Sequence, residues 1–366
     1  MYGHQIDFRV STFPAYNGEK IVIRILDREQ GFIPLDKLGL SDRALAAMRA
    51  AVKRPYGLIL ISGPTGSGKS TTLYSMLAEV DRETKNVLSL EDPVEYYMDG
   101  VNQSQVRPEI GYTFANGLRT TLRQDPNVIM VGEIRDGETA KLAVQASLTG
   151  HLVLSTIHTN SAVGTIPRLI DMGVEPYLIA PTLVLSIAQR LTKKLCDDSG
   201  DPVPVSKSMR DMMEGELSSL PPEFRPKIPD TVMEAKRTAS CPNGTGGRLA
   251  SIEVRERSPS IEEVILKSPV ESKIWGAARK QGTMTMKEDA MVKAFAGLIP
   301  YAEVNALSSL LLEDEAMAEA REEATQLKEK AEEPKLMDDE PVEGLKEKGF
   351  VPFAKSDVKP DNTENL

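Results

Sequence analysis

The octapeptide Gly63-Pro64-Thr65-Gly66-Ser67-Gly68-Lys69-Ser70 constrains this chain more than any other stretch. It follows the apolar run Leu58-Ile59-Leu60-Ile61 and leads into Thr71-Thr72-Leu73-Tyr74-Ser75-Met76-Leu77, which reads as a helix. Strand, glycine-rich turn and helix, in that order, form the setting in which a G-x-x-x-x-G-K-[ST] pattern cradles phosphate. Glycine lets successive backbone N–H groups converge on phosphate oxygens, and the helix N-terminus adds partial positive charge. Lys69 is expected to reach the β- and γ-phosphates. Ser70 is expected to hold Mg²⁺, with Thr71 beside it in the binding set. The motif implies a nucleoside triphosphatase.

Neighbouring segments repeat one pattern. Asn86–Leu90 is a buried-type strand ending in Glu91-Asp92-Pro93-Val94-Glu95. Val128–Val131 ends in Gly132-Glu133, with Arg135 and Asp136 just beyond, and Leu152–Ile157 ends in His158-Thr159-Asn160. Helices are expected over Ser41–Val52, Phe114–Arg123 and Glu138–Thr149, with Asp42 placed favourably for the first helix dipole. Counting the strand before the glycine-rich turn, four strands alternate with helices, and each ends in a polar or glycine-rich cluster. This predicts an α/β fold with a parallel, RecA-like sheet and a site along one rim. His151 and His158, two of the three histidines, are both expected on that rim.

The flanks read differently. Ile6–Ser11 and Glu19–Leu26 alternate like strands about an Asn17-Gly18 turn signal. Arg9 and Arg24 on these strands read, by themselves, as ordinary surface arginines. After Arg190, Pro202–Pro229 has no sustained period and reads as a surface insertion or loosely ordered region. Arg248–Val254 reads as a short strand. Helices are expected over Ser260–Lys267, Ser272–Gln281, Met286–Ala296 and Ala302–Leu312.

Residues 313–366 carry −9 of the chain's formal charge of −10, so this tail reads as solvated and partly disordered. The nearly neutral remainder gives no support for nucleic-acid binding. Two cysteines, Cys196 and Cys241, in 366 residues argue against a disulfide scaffold and suit a reducing compartment. No apolar run approaches the ~18 residues that span a bilayer, and no signal-peptide pattern opens the sequence. A cytoplasmic protein is expected, and its length suggests two or three structural units.

These segments resemble the secretion ATPases of type II secretion and type IV pilus assembly. Ser89-Leu90-Glu91-Asp92-Pro93-Val94-Glu95-Tyr96 is similar to that family's acidic box. Leu122-Arg123-Gln124-Asp125-Pro126 with Val131-Gly132-Glu133-Ile134-Arg135-Asp136 resembles its Walker B region, and Thr149–Asn160 its histidine box. Arg9-Val10-Ser11, Gly18-Glu19 and Arg24 resemble the end of its N-terminal sensor-like domain. Gly246–Val254, Gly282-Thr283-Met284 and Glu288-Asp289-Ala290 resemble the assembly and secretion branch rather than the retraction branch. The family's four-cysteine zinc subdomain is matched only by Cys196-Asp197-Asp198-Ser199 and Cys241-Pro242-Asn243-Gly244. Half of each pair is missing, so structural zinc is not expected.

The resemblance implies a domain plan. Residues 1–30 would be the last part of a shortened sensor-like domain, and 31–192 the RecA-like ATPase core. Residues 193–247 would be a degenerate cysteine-motif insertion, 248–312 a small helical C-terminal region, and 313–366 the acidic tail. It also implies roles. Glu91 would polarise the attacking water and Glu133 hold Mg²⁺ through water, although the two acids could exchange parts. His158 would contact the γ-phosphate region, and His151 and Arg135 would support it. Arg9 and Arg24 would close over ATP as sensor arginines. A cytoplasmic homohexamer at an inner-membrane platform protein, driving pilus or pseudopilus extension, is the implied assembly. The rivals are a retraction motor of the same family, a nucleic-acid translocase and an inactive fragment.

Overall fold

Four consecutive residues, Leu58 to Ile61, are all inaccessible to solvent. Their side chains alternate, as strand geometry requires. Ile59 and Ile61 enter an apolar cluster with Met48, Val52, Leu73, Met76 and Leu77. Leu58 and Leu60 enter another with Leu118, Val144, Ile166, Leu169 and Ile179. A strand buried on both faces belongs at the centre of a layered α/β fold. The computed structural model, which describes residues 6–27 and 33–311, has this architecture.

The elements run β1 (Ile6–Ala15), β2 (Gly18–Asp27), α1 (Asp42–Val52), β3 (Gly57–Ser62), α2 (Lys69–Ala78), β4 (Val87–Glu91), β5 (Asn102–Gln105), α3 (Phe114–Thr121), β6 (Val128–Val131), α4 (Gly137–Leu148) and β7 (Leu152–Ile157). There follow α5 (Thr165–Asp171), α6 (Pro176–Thr182), β8 (Leu183–Leu195), β9 (Gly200–Pro204), α7 (Lys207–Leu217), β10 (Thr231–Ala235), β11 (Thr245–Glu256), α8 (Pro259–Lys267), α9 (Glu271–Arg279) and α10 (Met286–Phe295). A last helix covers residues 301–311.

The main sheet has the order β11-β8-β3-β7-β6-β4-β5. Every pairing in it is parallel except β11 with β8. Because β3, β4, β6 and β7 point the same way, their C-terminal ends share one rim. This is the RecA-like core expected from the sequence.

Several expectations need correction. Strand β8 was not anticipated; it runs past residue 192 to Leu195 and pairs with β11 from Leu185↔Glu256 to Leu195↔Thr245. Residues 245–256 therefore belong to the core sheet rather than opening a helical region. The stretch read as a surface insertion or loosely ordered region is folded. Met213 and Leu217 of α7, together with Leu220 and Val232, are buried against Ala290, Met291 and Ala294 of α10. Its pattern was hidden because β9 is only five residues long and contains Pro202 and Pro204. The hairpin turn also sits one residue earlier than expected: Ala15 pairs with Gly18, leaving Tyr16-Asn17 as the loop, and Gly18 takes φ +128°. The acidic tail lies outside the described residues.

The two cysteines are bonded to each other, whereas their number had suggested a reducing compartment. Antiparallel pairing of β8 with β11 brings the residue after Leu195 close to the turn before Thr245, so topology sets the bridge. It closes a span of 45 residues. A loop of that length should contribute roughly 3–4 kcal/mol through the unfolded state. Replacing both cysteines with serine should therefore lower the denaturation midpoint measured without reductant. Addition of dithiothreitol should have no further effect on that variant.

Candidate functional site

At the end of β3 the chain turns through Gly63 at φ +137°, and Gly68 at φ +86° caps the N-terminus of α2. A Cβ on Gly63 would come within 2.5 Å of the Gln189 carbonyl oxygen, so the turn is closed to any larger residue. Lys69 Nζ donates to the carbonyls of Gly63 and Pro64 at 2.8 and 2.9 Å, folding the loop around its own ammonium. Burial lowers the Lys69 pKa; Glu133 opposes that shift and Arg190 adds to it.

Gln189 on β8 holds the loop from below. Its Nε2 donates to Ser67 O at 2.6 Å, and its Oε1 accepts from Thr72 Oγ1 at 2.8 Å. The Ser67 hydroxyl is buried with no hydrogen-bond partner among the described residues. Glycines with positive φ, a lysine, an N-terminal helical turn and an exposed Ser70 hydroxyl are the donor set a triphosphate with Mg²⁺ requires. The residues fit both groups.

The two acids differ in how they are held. Glu91, at the end of β4, is 4% exposed. Its Oε1 accepts from Ser89 Oγ at 2.6 Å and Gln103 Nε2 at 3.0 Å, and its Oε2 accepts from the Tyr74 hydroxyl. Burial, then the carboxylate's own charge, raises the Tyr74 pKa far above its usual range, so the phenol stays a donor. Glu133 is instead gripped by a charged fork, since Arg135 Nε and Nη2 each lie 2.6 Å from one of its oxygens. His158 Nε2 is 3.4 Å from Glu133 Oε2. The Leu90 carbonyl accepts the Gly132 N–H at 2.8 Å, which sets the ends of β4 and β6 side by side.

Thr65, Gly66, Gly68, Lys69, Ser70, Thr71, Glu91, Glu133, Arg135 and His158 all line one cleft of about 510 Å³. The structure thus gathers residues separated by almost a hundred positions. It does not gather them all. Arg9 and Arg24 are cross-strand partners on the exposed β1–β2 hairpin, and neither lines the cleft.

His151 is a correction. It precedes β7, whereas His158 follows it, so six strand residues separate them by roughly 20 Å. His151 sits on the opposite rim, where its carbonyl accepts the Gly57 N–H at 3.1 Å and its Nδ1 lies 2.9 Å from Ala146 O. It has no place in the cleft.

Sequence reasoning missed Tyr74, Gln103 and Gln189. Tyr74 and Gln103 belong to no pattern, and only a polar residue inside the apolar run of β8 could have marked Gln189.

Residues 1–306 match the family model described as Type II/IV secretion system protein. The chain belongs to that family. It is 43% identical over 303 residues to the type II secretion system protein E of Pseudomonas aeruginosa, covering 82% of this chain and 58% of the relative. Identity to the protein of the same name from Pectobacterium carotovorum is 43% over 309 residues, with the same coverages. The chain therefore spans somewhat over half the length of these curated relatives.

Among solved structures, the pilus retraction motor PilT with bound ADP aligns at 28% identity and a TM-score of 0.59. That match covers 82% of this chain and 76% of PilT. The Legionella pneumophila ATPase DotB, at 24% identity and a TM-score of 0.59, covers 84% of this chain and 73% of DotB, and supports the fold alone.

Gln189 gives a direct test of the loop's support. Gln189→Leu strands the Ser67 carbonyl and the Thr72 hydroxyl, which should cost about 1–3 kcal/mol of stability in urea denaturation. Gln189→Glu should cost at least as much at neutral pH, because its buried carboxylate would face the Ser67 carbonyl with no proton to share.

Proposed function

We propose that this chain binds Mg²⁺·ATP in the rim cleft and hydrolyses it. The convergence of the Gly63–Ser70 loop, Glu91, Glu133 and His158 on one cleft carries this reading. The family match and the secretion and pilus motors among its relatives support it.

In this reading the loop N–H groups and Lys69 hold the phosphates. Mg²⁺ would supply charge neutralisation at the phosphate oxygens, and Ser70 and Glu133 are the residues that would hold it, Glu133 through water. Phosphoryl transfer asks the protein mainly for position and electrostatics. Glu91, fixed by three donors, orients the attacking water from a rigid strand end. His158 lies at the γ-phosphate side, next to Glu133. Residues 1–30 act as the end of a sensor-like domain. Arg9 and Arg24 contribute their charge only when the hairpin moves over the cleft, which would couple hydrolysis to domain motion.

The motor is read as a homohexamer acting at an inner-membrane platform protein from the cytoplasmic side. There it extends a type II secretion pseudopilus or a type IV pilus. Among the described residues no helix is long and apolar enough to cross a membrane. Attachment is read as running through protein partners. The relatives named for type II secretion favour the assembly role over retraction. The near-neutral body disfavours a nucleic-acid translocase.

Lys69→Ala should lower ATPase activity to background and weaken ATP binding. Glu91→Gln should bind ATP as tightly as wild type in calorimetry and turn it over at least a hundredfold more slowly, on the order of the loss of one positioning group. Normal turnover by Lys69→Ala, or equal loss of binding and turnover in Glu91→Gln, would contradict these assignments.

A further inference from the structure

The loop that carries His158 is tied down by two acids to which the sequence reading gave no role. Glu253 on β11 is buried, and its Oε1 accepts the Ala162 N–H at 2.7 Å, with the Val163 N–H also facing it. Glu271, the first residue of α9, accepts the Ser161 hydroxyl. That hydroxyl oxygen in turn accepts the Gly164 N–H at 2.9 Å. The junction depends on a missing side chain, because a Cβ on Gly164 would lie 2.8 Å from Ser161 Oγ and 3.1 Å from Glu271 Oε1. On its inner side the loop touches the phosphate-loop strand, where Ser62 Oγ donates to Ser161 O at 3.3 Å.

Keeping an acid at this place is costly. Burial raises the Glu253 carboxyl pKa to about 7, and Glu271 on α9 and Glu288 on α10 push it the same way. The nearby cations do not relieve it. Arg279 is paired with Glu288, and Lys293 with Asp289. Arg255, two residues further along β11, donates its Nε to Ser186 Oγ. Cross-strand from Glu253 stands the apolar Ala188. The favourable contacts that Glu253 makes are to the 158–164 loop, and that loop begins with the imidazole facing Glu133.

We propose that Glu253 and Glu271 are positioning residues of the nucleotide site, fixing the 158–164 loop so that His158 stays against Glu133. They tie the reacting rim to β11 and α9. The effect on turnover rests on the ATPase reading above; the effect on His158 does not.

The test uses the full chain with ¹³C-labelled histidine, whose three residues give separable ring resonances. Glu253→Leu and Glu271→Ala, which remove the accepting oxygens, are each expected to shift the His158 ring resonance and leave that of His151 in place. Each should lower kcat on the order of tenfold or more while KM for ATP stays within about twofold, since only orientation at the γ-phosphate side is lost. Gly164→Ala should reproduce both effects by displacing Glu271. Should Glu253→Leu fail to fold, the exposed Glu271→Ala and Gly164→Ala carry the test.

An unmoved His158 resonance in the folded variants overturns the proposal, whatever the activity. A shifted resonance with kcat unchanged overturns the positioning role in catalysis. A shifted resonance in the variants, with no ATPase activity in the wild-type protein, supports the anchoring and refutes the ATPase reading instead.

Discussion

The structure depends on the burial of β3 between β7 and β8. With both faces covered, the strand delivers Gly63 to the rim at a fixed height and direction. A carbonyl and a side-chain amide from Gln189 then determine the shape of the loop that follows. Close packing of this kind transmits error, because a shift of β8 would move Gln189 and with it the phosphate cradle. That is why the antiparallel addition of β11 matters. It completes β8 on its far side, and it brings the C-terminal part of the chain into the same sheet as the phosphate loop.

At the rim, polar groups are arranged so that charge is held and directed. Glu91 has three donors and little access to solvent, which makes it a rigid acceptor. Glu133 answers to Arg135 and His158 and sits within electrostatic reach of Lys69. The two carboxylates end adjacent strands but live in different environments, one among neutral donors and one among cations. Such a split suits two different tasks, orientation of a water and attraction of a metal shell.

Much of this was legible in the sequence. The phosphate loop, the strands ending in Glu91, Glu133 and His158, and most helices could be read from apolar runs, capping residues and glycine spacing. What escaped was set by partners far along the chain. His151 and His158 look equivalent in a string of letters, but the strand between them runs from one rim to the other. The pairing of Cys196 with Cys241 follows from the β8–β11 ladder, which no local pattern announces. Gln189, Tyr74 and Glu253 are single polar residues in apolar surroundings, and their meaning comes only from what faces them in three dimensions. Arg9 and Arg24 are the reverse case: their motif is readable, while their hairpin stands exposed and away from the cleft.

We propose one cleft that binds a triphosphate between the Gly63–Ser70 loop and the acids of the neighbouring strands. A crystal structure of the full chain with Mg²⁺ and a non-hydrolysable ATP analogue addresses it most directly. Phosphates are expected on the loop N–H groups and Lys69, Mg²⁺ beside Ser70 and Glu133, and the γ-phosphate facing Glu91 and His158. A nucleotide bound elsewhere, or one whose γ-phosphate points away from both acids, would contradict it.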